Sequence, residues 1–214
     1  MVEPAQDRYA SGMNTWRAGC GGSRTSGSEG GPRKPTSREA GRAPRSDPYT
    51  EHPTAEGKVY CCAVMDAYSR RIIGWSIAHH MRTELVLDAL GMAILRRRAG
   101  RADTGGGTIL HSDHGTQFTS WAFGQRLRDA ELLPSMGTIG DCYDNSMMES
   151  LWGTLQLEVL DSRAWETRAQ LANAIFEWIE CWYNTKRRHS SLGMLAPVMF
   201  ETLHPAQTST PDDH

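Results

Sequence analysis

Runs and periods of apolar residues divide the chain from Lys58 onward into alternating strands and helices. Segments 59–65 and 71–77 are almost continuously apolar, which is typical of buried strands, and the polar residues between them have turn chemistry. The two segments therefore predict a β-hairpin. From 83 to 98 apolar residues recur at helical spacing, and the stripe they form consists of Val86, Leu90, Ala93 and Ile94.

The second half of the chain continues this alternation. A short strand at 108–110 leads into segment 111–119, and a helix at 120–131 and an extended piece at 132–136 follow. Two longer helices come next. The first holds Glu149 in its first turn, away from an apolar stripe of Met148, Leu151, Trp152, Leu155 and Val159. The second begins near Thr167, at a capping box, and its stripe is Leu171, Ile175, Trp178, Ile179 and Trp182. A hairpin followed by strand–helix alternation predicts an α/β domain with a mixed sheet flanked by helices.

Residues 1–46 differ from the rest because they contain no Leu, Ile or Phe and are rich in Gly, Arg, Ser and Pro. Such a segment cannot bury enough apolar surface to offset the entropy lost on ordering, so we expect it to be disordered. Its eight Lys and Arg outnumber its four Asp and Glu. It is either a basic arm that touches phosphates or a solvated tail without a dedicated role. The predicted domains are therefore a disordered basic segment at 1–46, a folded core at 47–201 and a polar tail at 202–214.

Length and charge narrow the class of protein. At 214 residues the chain can form one domain with an apolar core. Its net charge is −2, so any nucleic-acid binding must come from local basic patches. The five cysteines form no CxxC pair, which favours reduced thiols. No apolar run approaches the roughly 18 residues of a membrane span, so we expect a soluble cytoplasmic protein with no membrane partner.

Two carboxylates are candidates for chemistry. Asp113 follows the predicted strand at 108–110, and Glu149 starts a helix after 35 intervening residues. A carboxylate at a strand end and another on a helix form the kind of oxygen-donor set that hard divalent metals require. Each residue also has a structural alternative. Asp113 could bond the backbone of a turn, and Glu149 could form a capping box with Ser146.

Seven short motifs occur in a fixed order along the chain, and they are considered together. They are EHPTAEGKVY at 51–60, DAYSRRIIGW at 66–75, HSDHGTQF at 111–118, GDCYDN at 140–145, ESLW at 149–152, YN at 183–184 and RRHSSL at 187–192. Together they resemble the integrase catalytic core shared by retroviral integrases and bacterial insertion-sequence transposases (the DDE superfamily). The resemblance extends from residue 50 to residue 201. It implies a ribonuclease-H-like fold.

The resemblance also implies a polynucleotidyl transferase in which two aspartates and a glutamate hold two Mg²⁺ ions. By this resemblance Asp113 is the second aspartate and Glu149 the glutamate. The first aspartate belongs to the first strand, two residues before Thr50, where this chain has Pro48. Asp47 is one residue out of register, and side chains alternate along a strand, so Asp47 would point to the opposite face. We therefore expect a damaged first strand and weakened metal binding.

The resemblance stops abruptly before Thr50. We expect that the N-terminal segment replaces the family's first strand, which is of the Trp-x-x-Asp type, through a frameshift or a truncation. Sequencing the locus tests this: such a strand in another reading frame supports it, and an intact upstream sequence in the same frame contradicts it.

Three further groups of polar residues have more local explanations. Asp66 corresponds to a turn aspartate of the family's hairpin, so we expect a structural role. Arg96, Arg97 and Arg98 end a predicted helix, where positive charge interacts favourably with the helix dipole. Lys186, Arg187, Arg188 and His189 lie inside the C-terminal motif, and we expect this group to bind DNA phosphates.

The implied function is that of a DNA-binding transposase or integrase core for Mg²⁺-dependent strand transfer, with impaired catalysis. Its expected partners are transposon ends, target DNA and further copies of the chain, in the nucleoid of a bacterial cytoplasm. The alternative is a non-catalytic transposase remnant that only binds DNA or associates with an intact transposase. Another ribonuclease-H-like nuclease is disfavoured by the C-terminal motif.

Overall fold

A six-stranded mixed β-sheet lies at the centre of the part of the chain that the computed structural model describes, namely residues 15–19, 50–99, 108–112, 120–136 and 142–205. Its strands are β1 (Thr15–Gly19), β2 (Thr50–Thr54), β3 (Gly57–Asp66), β4 (Ile72–Ala78), β5 (Ile109–Ser112) and β6 (Leu133–Met136).

Strand β1 connects the two halves of this sheet. It pairs antiparallel with β3 and parallel with β5, and β5 pairs parallel with β6. β2 continues the line of β1 along the same edge of β3, because β1 faces the carboxyl half of β3 and β2 faces its amino half. β4 pairs antiparallel with the other edge of β3, so the predicted hairpin is confirmed.

Helices cover both faces of the sheet, as the mixed α/β prediction required. They are α1 (Thr83–Ala99), α2 (Trp121–Asp129), α3 (Cys142–Glu158), α4 (Arg168–Glu177) and α5 (Pro197–Leu203), and a π-helical turn, Trp178–Tyr183, continues α4. One apolar cluster joins the sheet to α1 and α2, and a second joins it to α3, α4 and the π-helical turn. Cys62 and Val64 of β3 point into the first cluster, and Cys61, Ala63 and Met65 point into the second. Strand β3 is apolar at nearly every position because both of its faces are covered.

The predicted apolar stripes of the helices are buried in these two clusters, with one exception. Every stripe residue of α1 and α3 is buried, whereas Trp182 remains 37% exposed. Trp182 lies in the π-helical turn, where an extra residue per turn rotates the following side chains out of the α-helical stripe.

Helix α1 packs unusually close to β4 at Gly74. A Cβ atom on Gly74 would lie 2.1 Å from the carbonyl oxygen of Ala89. Glycine inside an apolar strand commonly marks such an approach. The close packing of α1 on the sheet therefore depends on the absence of a side chain at this position.

Within the segment 1–46, which we predicted to be disordered, Thr15–Gly19 forms β1. The rest of 1–46, together with Asp47 and Pro48, lies outside the described residues. β1 forms backbone hydrogen bonds with a strand on each side. These contacts are distant in sequence, so the amino-acid composition of the segment does not predict them. The first strand, expected to be damaged, is present as two collinear pieces, β1 and β2, separated in the chain by residues 20–49.

Two smaller expectations also change. The predicted polar tail begins inside α5, which ends at Leu203, because Pro197 starts this helix and an apolar turn follows it. Cys62 is disulfide-bonded rather than reduced, and its partner is not among the residues whose side chains are described, whereas Cys61 and Cys181 are free thiols. Separately, none of the helices in the described ranges is both long and apolar enough to cross a membrane.

Candidate active site

The first candidate carboxylate follows β5 in the chain. β5 is a strand as predicted, and its last residue, Ser112, pairs with Ala18 of β1. Asp113 is the next residue in the sequence but lies outside the described residues. Its proposed role therefore depends on the strand that precedes it and on the motif around it.

Glu149 lies two turns inside α3, not in its first turn, because the helix begins at Cys142. Ser146 is consequently an internal residue of the helix, which excludes the capping-box alternative. The Glu149 side chain is exposed, and it makes no hydrogen bond or ion pair within the described part of the chain. Helix α3 packs against β1. The Glu149 carboxylate therefore lies on the helix next to the central strand.

The sheet register identifies the residue at the position of the first carboxylate. Thr50 pairs with Cys61 in the antiparallel pair of β2 and β3. If β2 were extended by two residues toward the amino end, the residue two positions before Thr50 would lie opposite Ala63. In the structure Ala63 pairs with Gly19, the last residue of β1. Gly19 has no side chain, and it follows Trp16 at the spacing of a Trp-x-x-Asp strand. That spacing is the sequence signal for β1, and this chain has glycine at the fourth position.

The residues of this region fit a divalent metal only in part. The exposed, unpartnered carboxylate of Glu149 is a suitable oxygen donor, and Asp113 is a second one in the sequence. Gly19 contributes no side-chain oxygen. Among the described side chains no group of three or more His, Cys, Asp or Glu residues could hold a metal ion, and Asp113 and Asp47 are not in that set.

Asp66 has the structural role expected of it. One carboxylate oxygen accepts hydrogen bonds from the backbone nitrogens of Tyr68 (2.9 Å) and Ser69 (3.0 Å), which closes the turn between β3 and β4. The other oxygen accepts a bond of 2.7 Å from Arg97. Asp66 pairs with Trp16, near the amino end of β1, whereas Gly19 is the carboxyl end of β1. Asp66 is therefore separated from Gly19 along the sheet.

The arginines at the end of α1 form specific ion pairs rather than acting only on the helix dipole. Arg96 lies 2.6 Å from Glu180 of the π-helical turn. Arg97 bridges Asp66 and Glu201 at 2.7 and 2.6 Å. These two side chains therefore tie α1 to neighbouring elements and are not available for phosphates.

The C-terminal motif is anchored to the hairpin through Asn184. Its side-chain oxygen accepts a hydrogen bond from the Ile72 nitrogen (2.9 Å), and its side-chain nitrogen donates one to the Ile72 carbonyl (3.0 Å). Asn184 is buried, and it satisfies backbone groups at the start of β4 that would otherwise lose a partner. The motif thus has a structural function in addition to its basic residues.

The predicted DNA-binding group divides into exposed and packed side chains. Lys186 and Arg188 are exposed. Arg187 is paired with Glu158 of α3, and its guanidinium carbon lies 5.3 Å from the centre of the Trp182 ring. Arg187 is therefore already held by protein contacts, whereas Lys186 and Arg188 remain open to a partner.

His189 packs edge-on against Tyr183, with the ring centroids 5.2 Å apart. Its partial burial, and then the positive charges of Arg70 and Arg187, lower the His189 pKa to about 4. The imidazole is consequently neutral near pH 7. In this form it can donate a single hydrogen bond but does not act as a cation.

The sheet and its helices define the class of protein. A central strand that pairs antiparallel with a hairpin and parallel with the next strands, with helices on both faces, is the ribonuclease-H-like arrangement of integrase cores. In agreement, the structure resembles a chain of the simian T-cell lymphotropic virus intasome in complex with the PP2A regulatory subunit B56 gamma. The TM-score is 0.58 and the identity 11%, and the match covers 94% of this chain and 59% of that chain. This likeness concerns the fold alone.

The sequence comparisons identify the family. Two family models, both described as Integrase core domain, match residues 46–142 and 131–197. The chain belongs to the integrase core family, and its relatives are insertion-sequence transposases.

Two of these relatives show the extent of the match. The transposase for insertion sequence element IS904 of Lactococcus lactis is 40% identical over 149 residues, covering 70% of this chain and 57% of the relative. The transposase for insertion sequence element IS629 of Shigella sonnei is 37% identical over 164 residues, covering 77% and 53%. The chain thus spans little more than half the length of the relatives it matches.

Proposed function

We propose that this chain is the core of an insertion-sequence transposase that binds DNA and whose strand-transfer chemistry is impaired. Family membership supports a role in DNA transposition. The observation that carries the impairment is Gly19, which occupies the sheet position of the first carboxylate. Without that ligand, the attacking and leaving oxygens lose part of the geometry that in-line displacement at phosphorus requires.

In this proposal Asp113 and Glu149 hold Mg²⁺, and binding is weakened because the third carboxylate is missing. When bound, the metal supplies charge stabilisation at the phosphorus that reacts. The protein supplies two hard oxygen donors on different elements, one after β5 and one on α3. Asp47, which is near in sequence but outside the described residues, is the weaker candidate for the third ligand because it is out of register.

Restoring the missing carboxylate tests the catalytic part of the proposal. We expect wild type to show background nicking and strand transfer with Mg²⁺ or Mn²⁺, and Gly19→Asp to raise the rate at least about a hundredfold. Plasmid nicking and joining of a pre-cut oligonucleotide measure this. Gly19→Asn is the matched control, since it has nearly the same size without the charge.

Two further variants separate the outcomes of that assay. Adding Glu149→Gln to Gly19→Asp should return activity to background, because only two of the three proposed carboxylates then remain. Wild-type activity that disappears with Glu149→Gln alone would show that the chain is not impaired. Activity of Gly19→Asp that survives Glu149→Gln would exclude this metal site.

DNA binding is proposed to use Lys186 and Arg188, the exposed members of the basic group. Each phosphate contact adds about 0.9 to the slope of log affinity against log salt. Replacing both residues by Gln should therefore weaken binding to duplex DNA and lower the slope by up to about two. Fluorescence anisotropy at several salt concentrations measures both quantities. An unchanged slope would contradict the assignment.

The second candidate function is a non-catalytic remnant that binds DNA or associates with an intact transposase. Gly19 favours this candidate too, because it removes a ligand without preventing β1 from pairing in the sheet. The remnant is expected to stay inactive in the Gly19→Asp variant. In either case the proposed setting is the bacterial cytoplasm at the nucleoid, with transposon ends, target DNA and further copies of the chain as partners.

A further inference from the structure

Arg187 of the C-terminal motif lies across the last turns of α3. Its guanidinium is ion-paired with Glu158, the last residue of that helix, and its Nη2 atom lies 3.5 Å from the Thr154 hydroxyl oxygen. Residues four apart share one face of an α-helix, so Arg187 contacts α3 at two successive turns of a single face. The other Glu158 oxygen accepts a hydrogen bond of 2.8 Å from the indole nitrogen of buried Trp178. Glu158 is therefore held from two directions.

The backbone that carries Arg187 is itself fixed to the sheet. Three residues earlier, Asn184 bonds both backbone groups of Ile72 at the start of β4. The Arg187 backbone nitrogen donates a hydrogen bond of 2.9 Å to the carbonyl oxygen of Trp182, and the Arg187 guanidinium lies over the Trp182 ring. Contacts among described residues therefore run from β4 through Arg187 to α3.

Glu149 and Glu158 lie on opposite sides of α3. They are nine residues apart, which is about two and a half turns of an α-helix. The buried stripe of α3 lies between them and packs on the sheet. A rotation of α3 about its axis therefore moves Glu149 relative to the sheet, and the contacts that hold Glu158 oppose this rotation.

The rotation of α3 matters because the two candidate ligands belong to different elements. Asp113 follows β5 of the sheet, whereas Glu149 is carried by the helix. Burial of an apolar stripe is non-directional, so it fixes the rotation less closely than a polar contact does. A side-chain oxygen lies roughly 6 Å from the helix axis, so a rotation of about 10° moves it by about 1 Å. A displacement of this size is enough to impair a catalytic site.

We propose that Arg187 is a positioning residue: fixed to β4, it contacts Thr154 and Glu158 and so sets the rotation of α3 that presents Glu149 to the metal. The proposal rests on the metal site proposed above. It gives Arg187 a role different from the phosphate binding that the basic residues around it predict. Arg187 acts through α3, and it is not itself a ligand of the metal.

Mn²⁺ binding tests this role, with the free ion measured by electron paramagnetic resonance in the wild-type chain and in Gly19→Asp. Arg187→Gln should weaken binding about tenfold, as expected of a residue that orients a metal ligand. Arg187→Lys keeps the charge that pairs with Glu158 and should retain most of the affinity. Arg188→Gln is the matched control, because Arg188 is exposed and makes no bond among the described residues. Equal weakening by Arg187→Gln and Arg188→Gln would overturn the proposal.

A double-mutant cycle with Glu149→Gln separates positioning from a general loss of structure. In the Gly19→Asp background, Glu149→Gln leaves two carboxylates that can still bind Mn²⁺. Adding Arg187→Gln should then weaken binding no further, because Arg187 acts through Glu149. A further loss as large as that caused by Arg187→Gln alone would assign Arg187 a general structural role and overturn the proposal. Glu158→Gln removes the opposite charge of the same pair and should also weaken Mn²⁺ binding; an unchanged affinity would contradict the proposal.

DNA measurements separate positioning from phosphate contact. Arg187→Gln should leave the salt slope of duplex binding unchanged, and in Gly19→Asp it should lower kcat of strand transfer without raising KM for DNA. A salt slope lower by about one would make Arg187 a phosphate contact and overturn the proposal.

The same measurements distinguish failure of this proposal from failure of the proposed function. If neither the wild-type chain nor Gly19→Asp binds Mn²⁺, the proposed metal site fails, and this proposal fails with it. If Gly19→Asp binds Mn²⁺ and adding Arg187→Gln does not weaken binding, this proposal alone fails.

Discussion

Asp66 is the last residue of an apolar strand, and its contacts show a structural role. Asp66 uses one oxygen for its own turn and the other for Arg97, so its lone pairs are occupied. Glu149, which local pattern allowed to be a cap, has an exposed carboxylate inside a helix. At the scale of single residues, the partners of a carboxylate therefore separate a structural role from a functional candidate.

His189 makes the stability of the fold depend on pH. Its pKa is lowered from 6.5 to about 4 by burial first and by the charges of Arg70 and Arg187 second. The unfolded chain therefore binds a proton at a higher pH than the folded chain does. The stability that the neutral imidazole contributes is present above pH 6.5 and is lost as the pH falls toward about 4.

This dependence is tested with His189→Gln. We expect wild type to lose melting temperature more steeply than the variant between pH 6.5 and about 4, because Gln takes up no proton. Thermal melts followed by circular dichroism at several pH values measure the difference. His79→Gln, at an exposed histidine, is the control. Identical pH profiles for wild type and His189→Gln would contradict the expected effect.

At the scale of elements, β1 and the π-helical turn were the parts that the sequence pattern did not predict. β1 has five residues, too few for a periodic signal, and it lies in a segment of strand-poor composition. The π-helical turn continues an α-helical pattern but rotates Trp182 toward solvent and Glu180 toward Arg96. Both depend on neighbours that are distant in sequence. Conversely, the hairpin was predicted from two almost continuous apolar segments and α1 from apolar residues at helical spacing, and both are confirmed.

At the scale of the whole molecule, β1 holds together the two halves of the sheet. Among the described strands it alone pairs with both β3 and β5. Without β1 the sheet would divide into two parts, β2–β3–β4 and β5–β6. Each part would then have an unpaired edge within the core. We therefore expect the cooperative folding of the domain to depend on the five residues of β1.

Two truncations test this dependence. A variant that lacks residues 1–19 should lose the cooperative thermal transition, because the central strand is absent. A variant that lacks residues 1–14 keeps β1 and should melt like the full chain. Circular dichroism and an apolar-surface dye follow both. Equal melting of the two truncated variants would show that β1 is not required for folding.

The charge distribution of the molecule explains why DNA contacts must be local. Residues 47–214 contain fifteen Lys and Arg against twenty-one Asp and Glu, so this part as a whole repels a polyanion. Most arginines near the hairpin are neutralised by carboxylates, as Arg97 is by Asp66 and Glu201. In the C-terminal motif Lys186 and Arg188 are exposed, and we propose that DNA contacts these two residues.

The sequence by itself determined the elements with long apolar periods, the fold class and the family. Burial on one face imposes a helical period on the residues of α1 and α3, and burial on both faces makes β3 almost continuously apolar. Ordered motifs around Asp113 and Glu149 identify an integrase core. The sequence also led to the prediction that the first carboxylate is absent, because Pro48 lies two residues before Thr50. These features are local, so they can be recognised without the fold.

Only the tertiary structure decided that Gly19 lies opposite Ala63 and which basic residues are held by internal contacts. Gly19 reaches the position facing Ala63 through strand pairing across more than forty residues. Asn184 holds the C-terminal motif at the start of β4 through bonds to Ile72. Strand register and long-range hydrogen bonds depend on which backbone groups are paired in the folded chain. The linear pattern of apolar and polar residues does not specify that pairing.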